Sequence, residues 1–276
     1  MKSWPMMEDS PWRQPYLVEL TFGEIYRLVN RFVRDRKLRI LDVGCGRGFL
    51  SLELARNGHD VVGIDADDEL IKMAIRLMRT DPYRSSRGVL EYQVSDFSSW
   101  RNPGKMFDLV IFSRVLHHIP RPGKVLEKVQ RLLASRGRVI CIEYAYDQFE
   151  RRSATWLYHI LRALEQAGWF SSKKPLSDDS RASVGLVMKD WQAHGREEHL
   201  NRFREMYSPL KRLFRERHFS WEPYVFWSVI TDMRVPTAQT EMSVARSLRA
   251  MEKALIDKNA ISPVLFCFVG EKVKGQ

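Results

Sequence analysis

No apolar run in the sequence approaches the ~18 residues that a membrane-crossing helix needs, so no membrane span is expected. The opening stretch "MKSWPMMEDSPWRQP" has no apolar core, and a secretory signal is therefore not expected in it. Cysteine is scarce. Cys45, Cys141 and Cys267 lie far apart in apolar surroundings, which argues against a disulfide framework or a metal site and for reduced thiols in a cytoplasmic protein. Internal repeats and low-complexity segments are lacking as well. Acidic residues are in deficit, 34 against 45 Lys and Arg, for a formal charge of +11. The surplus is spread along the chain, with local runs at "RFVRDRKLR" (31–39) and "KRLFRER" (211–217), and it reads as solvated helix faces rather than a nucleic-acid patch.

What is present is a regular alternation. Short apolar runs at 38–43, 60–65, 89–94, 107–113 and 137–145 read as buried strands. Between them, residues 49–58, 67–79 and 123–135 have the spacing of amphipathic helices, and 18–34 precede the first strand with the same spacing. Strands alternating with helices of this length imply right-handed crossovers and a parallel sheet. Beyond residue 150 the pattern changes. Helical spacing runs through 151–170, a polar loop follows (171–183), and helical spacing resumes over 195–217. Strand character returns at "EPYVFWSVI" (222–230), a helix follows at 240–258, and a last strand at 262–270.

The densest signal is "ILDVGCGRGFL" (40–50), with glycine at 44, 46 and 48 directly after the first strand. Such a cluster means close approach of a ligand or another backbone. A phosphate loop would need Lys-Ser or Lys-Thr after the last glycine, and neither is there. A dinucleotide fingerprint would place its third glycine where Phe49 stands. Asp65 ends the second strand, where a carboxylate can take both hydroxyls of a ribose. Asp96 follows the third strand with Phe97 beside it, a pair suited to an exocyclic amine and an aromatic ring. Together these describe a site for an adenosine without phosphates, at the carboxyl ends of successive strands.

With "LDVGCGRG" (41–48), "VVGIDADDEL" (61–70), "SDFSSW" (95–100), "FDLVIFSRVLHHIP" (107–120) and "VLEKVQRLLASRGRVICIE" (125–143), the chain resembles the class I S-adenosylmethionine-dependent methyltransferases, in particular their small-molecule group. The resemblance covers roughly residues 38–145; it departs at "ASRGR", where the family commonly has Pro-Gly-Gly. It implies an α/β, Rossmann-like, seven-stranded, mostly parallel sheet with an antiparallel last strand and helices on both faces, plus a helical insertion between strands five and six. One methyltransferase domain would then span 1–276, with a cofactor-binding core at 38–145 and a substrate lid at 151–220.

The resemblance further implies S-adenosyl-L-methionine as cofactor. Gly44, Cys45 and Gly46 would pass under its methionine and ribose, and Asp42 would orient the loop or bind the ammonium. Asp65 would take the ribose, Asp96 the adenine amine, Ala66 and Phe97 would line the adenine, and the backbone at Phe112 and Ser113 would face the methionyl group. Cys45 reads as a small filler of the loop. His117, His118, Glu143 and Tyr144 are the candidate catalytic residues. Methyl transfer from a sulfonium is an in-line displacement in which alignment alone can supply about 7–11 kcal/mol. A base is needed only if the acceptor must lose a proton. Five of the eight tryptophans follow residue 150, and Trp156 and Trp169 are the candidate substrate contacts. They point to a small hydrophobic or aromatic acceptor, or a peptide side chain; His194, Arg196 and His199 add polar groups. Two alternatives stand beside this. A nucleic-acid methyltransferase lacks its Pro-Pro-aromatic stretch after strand four, where the chain reads "FSRVLHHIP", and no cysteine nucleophile follows that strand. A non-catalytic cofactor-binding partner subunit sits uneasily with an intact glycine loop and both acids.

Overall fold

The computed structural model describes residues 15–33, 36–83, 88–102, 104–170 and 179–273, with the side chains of Pro15 and His194 outside the described set. Most of the predicted polar loop, 171–178, falls outside them as well. In chain order the elements are α1 (Pro15–Val18), a π-turn (Glu19–Gly23), α2 (Glu24–Asn30), β1 (Arg39–Val43), α3 (Phe49–Arg56), β2 (Asp60–Asp65), α4 (Asp68–Thr80), β3 (Leu90–Val94), β4 (Phe107–Ser113), α5 (Pro122–Leu132) and β5 (Leu133–Tyr144). There follow α6 (Arg151–Gln166), α7 (Ser180–Glu197), α8 (Phe203–Leu213), β6 (Phe214–Glu222), α9 (Val225–Ile230), α10 (Ala238–Asp257) and β7 (Leu265–Lys272). The seven strands form one sheet in the order β3-β2-β1-β4-β5-β7-β6, with six strands parallel and the last antiparallel.

The chain makes two compact units. One holds the sheet and comprises Ile25–Tyr144, Asn201–Ser220 and the residues from Phe266 onward. The other is helical and comprises the described residues up to Glu24, Ala145–Leu200 and Trp221–Leu265.

In the sheet unit the central strands are buried along almost their whole length, as a parallel sheet covered on both faces requires. Phe107, Phe112, Phe266 and Phe268 are fully enclosed. Asp67 caps α4 by accepting from the backbone N–H groups of Glu69 (2.9 Å) and Leu70 (3.1 Å). At the far edge an aromatic cluster, Phe203 and Tyr207 of α8 with Phe219 of β6 and Phe266 of β7, ties the last two strands to their crossover helix.

Three expectations are corrected here. The sixth strand is not 222–230 but 214–222. Its sequence, "FRERHFSWE", opens with three consecutive charges, Arg215, Glu216 and Arg217, and lacks the apolar alternation of a strand; at a sheet edge such charges are tolerated and discourage further pairing. The segment "VFWSVI", strand-like by propensity, is the helix α9. The reason is distant in sequence. Glu252 of α10 is buried and accepts the N–H groups of Tyr224 (2.8 Å), Val225 (2.8 Å) and Phe226 (2.7 Å), satisfying donors that open the helix. Finally, residues 180–197 are helical rather than partly loop, and the stretch expected as one insertion over 151–220 is divided, with α6 and α7 in the helical unit and α8 and β6 in the sheet unit.

The helical unit has its own polar staples. Arg249 pairs with Glu24 at 2.8 Å, and Ser153 Oγ donates to the Ser262 carbonyl at 2.8 Å. Trp191 stacks on Phe149 with ring centroids 4.3 Å apart. Glu252→Ala strands three N–H groups, at about 1–3 kcal/mol for each that stays buried and unpaired. The expected result is a clear fall in melting temperature, with Glu252→Gln intermediate because its amide oxygen still accepts. An unchanged melting temperature in the alanine variant would show that α9 does not depend on this carboxylate.

Candidate functional site

Gly44, Gly46 and Gly48 all adopt positive φ (66°, 53° and 76°), a region where L side chains are strained. Their surroundings differ. A Cβ on Gly44 would sit 2.3 Å from Val115, and one on Gly48 would sit 2.2 Å from the Tyr92 hydroxyl. Those two glycines admit neighbouring protein. A Cβ on Gly46 would meet nothing within 4 Å, so only this backbone segment is bared toward open space.

The loop is stitched to the next strand. The N–H groups of Gly44 and Cys45 both donate to the Ile64 carbonyl, at 2.8 and 3.0 Å. Asp65 Oδ2 accepts the Gly46 N–H at 2.8 Å while Oδ1 accepts that of Asp67 at 2.9 Å. Each carboxylate oxygen can accept more than one donor, so Asp65 keeps acceptor capacity for a ligand. Ala66 beside it is exposed, as is Asp96, whose Oδ1 accepts the Ser98 N–H at 2.6 Å. Tyr92 donates to the Gly48 carbonyl at 2.9 Å and closes the loop from beneath.

Asp42 is 2% exposed and accepts from Ser51 Oγ at 2.6 Å, an arrangement that orients the loop against α3. Burial pushes its carboxyl up to about 7, against the stabilising hydrogen bond from Ser51. Cys45 packs its sulfur over Gly63, and burial raises its thiol well above the usual range, consistent with an inert filler. Its backbone is tied into the loop as well, the N–H donating to the Ile64 carbonyl and the carbonyl accepting from the Gly48 N–H. Phe97 needs correction too. Its ring is buried at 4% exposure, stacked on Trp100 and edge-on to Phe112, with Lys128 Nζ 4.7 Å from its centroid. It holds the Asp96 turn in place rather than presenting a face. Lys128 does the same through donations to the carbonyls of Phe97, Ser98 and Trp100. Phe112 is enclosed as well, which leaves its backbone and the half-buried Ser113 at the strand end.

The turn after β4 is organised by Glu143. This carboxylate is fully buried; Oε1 accepts the N–H groups of Val115 (3.1 Å) and Leu116 (2.8 Å), and Oε2 meets His117 Nδ1 at 2.7 Å. These contacts all lie within the turn, which Glu143 holds in place. With Nδ1–H donated to the carboxylate, the basic lone pair of neutral His117 lies on Nε2. His118 is exposed with its ring centroid 4.3 Å from that of His117, and Tyr144 lies edge-on to His117 at 5.8 Å. Sequence reasoning missed Asn201. Its Nδ2 donates to the carbonyls of Leu116 (3.0 Å) and Ile119 (2.8 Å), and its N–H to that of His117 (2.7 Å), clamping the same turn from the other side. A lone asparagine between helical segments carries no pattern by which to find it.

In the helical unit Trp156 and Trp169 are both half-buried, and the indole N–H of Trp156 is buried with no hydrogen-bond partner among the described residues. Among the described residues no group of three or more His, Cys, Asp and Glu is placed to hold a metal ion, and no helix is long and apolar enough to cross a membrane.

A family model described as a methyltransferase domain matches residues 17–221. A ubiquinone biosynthesis O-methyltransferase of Ruegeria sp. (strain TM1040) is 33% identical over 137 residues, 50% of this chain and 53% of that protein. The chain thus spans about half the length of the curated relatives it matches. Among solved structures, a SAM-dependent methyltransferase from Methanosarcina mazei has TM-score 0.52 at 18% identity, over 89% of this chain and 97% of that one. The N-methyltransferase NodS from Bradyrhizobium japonicum WM9, solved with S-adenosyl-L-homocysteine, has TM-score 0.53 at 12% identity, over 96% and 93%. At such identities the likeness is one of fold.

Two measurements check the geometry of this site. Asp42 keeps its proton in the folded chain up to about 7, whereas the unfolded chain releases it near 3.8. The folded state therefore loses stability as pH rises through that window. Asp42→Asn removes this loss, so urea midpoints of the variant at pH 5 and pH 8 lie closer together than those of the parent; an unaltered pH dependence would deny Asp42 the raised pKa. Glu143→Gln can serve the two backbone amides or His117 but not all three as well. It is expected to lower stability by about 1–3 kcal/mol and to shift the His117 Nδ1 proton resonance, and a spectrum that keeps that resonance would contradict the pairing.

Proposed function

The chain belongs to the methyltransferase domain family, and from that membership we propose that it is an S-adenosylmethionine-dependent methyltransferase acting on a small-molecule acceptor. One observation carries the cofactor assignment: of three glycines in a positive-φ loop, Gly46 alone opens its backbone to space, and its N–H is held by the strand-end carboxylate Asp65. The residues present fit the cofactor. The bared backbone at Gly46 would run beneath the methionine and ribose, Asp65 would accept the ribose hydroxyls, and Ala66 and Asp96, both exposed at neighbouring strand ends, would meet the adenine. When bound, the cofactor supplies an electrophilic methyl group on a sulfonium.

The curated relatives are named O-methyltransferases, which supports a hydroxyl oxygen as the methylated atom here. A hydroxyl gains nucleophilicity by giving up its proton. His117 is set up to receive that proton, because Glu143 fixes Nδ1 and leaves Nε2 as the accepting nitrogen. General-base catalysis of this kind is worth about 10²–10⁴-fold. The sequence of the helical unit suggests the acceptor's chemistry. Its aromatic content suits a hydrophobic or aromatic molecule.

Calorimetry with S-adenosylhomocysteine tests the cofactor reading. The parent binds; Asp65→Asn, which preserves an acceptor for the Gly46 N–H but removes the charge, binds at least about tenfold more weakly, as the loss of charge-assisted bonds implies. Gly46→Ala loses binding while keeping its fold, apart from about 1–2 kcal/mol of left-handed strain. No binding by the parent would end the cofactor assignment. His117→Gln separates the base from the scaffold: cofactor affinity stays, and turnover of a hydroxylated acceptor falls by about 10²–10⁴-fold. Equal turnover would remove His117 from the chemistry.

A further inference from the structure

The two basic runs that read as solvated helix faces converge in the sheet unit. Arg36 comes from the first, and Arg215 and Arg217 from the second, whose last four residues lie on strand β6 rather than on helix α8. With Arg136, Arg138 and Lys272 they line one cleft of about 800 Å³. The cleft is far from the glycine loop along the strands: Leu38 just precedes β1, Asp108 opens β4, and Arg138 pairs with Leu109 early in β4, whereas Gly46, Asp65 and Ser113 follow the carboxyl ends. It is therefore separate from the cofactor site.

Six cations here face two carboxylates. Asp108 takes Arg36 at 2.8 Å, and Glu271 takes Arg217 through two bonds of 3.0 and 2.9 Å. That bidentate pairing, with Arg138 and Arg215 nearby, holds Glu271 below the usual carboxylate range. Among the described residues Arg138 donates to the Phe32 carbonyl, at 3.4 Å, and Lys272 to the Leu133 carbonyl, at 2.7 Å. Four positive charges in the described walls thus have no carboxylate of their own. Arg136 also holds a left-handed conformation, φ 63°, that glycine would take without strain. Guanidinium groups that converge in a concave site match phosphate oxygens in geometry as well as charge. The volume suits a small ligand, and Phe32, Val33 and Leu109 give the cleft an apolar wall.

We propose that this cleft binds a small ligand carrying a chain of phosphate groups, at a site distinct from that of methyl transfer. The phosphate chain is the recognised chemistry; it can belong to a free polyphosphate or to a nucleotide. The test uses the full chain at fixed ionic strength, with inorganic tripolyphosphate and ATP as calorimetric probes. Tripolyphosphate is expected to bind saturably. The double variant Arg136→Gly, Arg215→Ala weakens it by about tenfold or more, from the loss of two charge-assisted contacts, and its S-adenosylhomocysteine affinity is unchanged. Glycine suits the backbone at 136, so this variant is expected to fold. Tighter binding of ATP than of tripolyphosphate assigns a nucleotide, and equal binding a free polyphosphate. Retained binding in Gly46→Ala shows that the cleft stands apart from the cofactor reading, whichever way that falls. Equal affinity in parent and double variant overturns the proposal. So does failure of both probes while an RNA oligomer binds with a steep salt dependence, the mark of an extended electrostatic surface.

Discussion

A carboxylate without water must be given hydrogen bonds, and the candidate site is arranged around one such group. Glu143 at the end of β5 takes two backbone amides and an imidazole from the turn after β4. Removing one partner of a buried charge is costly, whereas a fully satisfied one fixes geometry. The turn therefore has one conformation, and with it the orientation of His117, the lie of Val115 against Gly44, and so the course of the glycine loop. Asn201 repeats the clamp with neutral groups. Asp65 and Asp42 act likewise on the loop's other side, one from the next strand and one from beneath. Three acids that look like ligand contacts in the sequence are first of all constraints on backbone, and ligand chemistry is carried by what they leave open.

The parallel half of the molecule was legible because its signals are local. Apolar runs, amphipathic helix spacing and a glycine loop each lie within a few residues of what they determine. The same holds for Asp65 and Asp96, whose place at strand ends follows from counting. The failures share the opposite property. Whether 225–230 is strand or helix is decided by Glu252, whether 214–222 is helix or strand by its position at a sheet edge, and whether Phe97 faces a ligand or the core by Trp100 and Phe112. Glu252, Phe112 and the neighbouring strand β7 lie outside the window around the segment each decides, and Trp100, three residues from Phe97, does not by itself show which way that ring turns.

The glycines make the same point within one motif. Three identical residues at regular spacing suggest one purpose, yet Gly44 and Gly48 make room for Val115 and Tyr92, and Gly46 alone makes room for something else. A pattern can thus be read correctly as a site while two thirds of it serves the packing that holds the remaining third in place. The basic runs show the converse: each is ordinary alone, and only the sheet brings them to one cleft.

The capping of α9 from a distance has a consequence for the order in which the chain is made. Glu252 lies 28 residues beyond Tyr224, whose N–H it must accept. At about 5–20 residues per second, a nascent chain carries "VFWSVI" for seconds before the residue that makes it helical has been added. During that interval the segment has the composition of a sticky strand, uncharged and rich in β-branched and aromatic residues. The helical unit therefore matures late, after most of the sheet strands exist, and its exposure to misassociation is a matter of translation speed as much as of final stability.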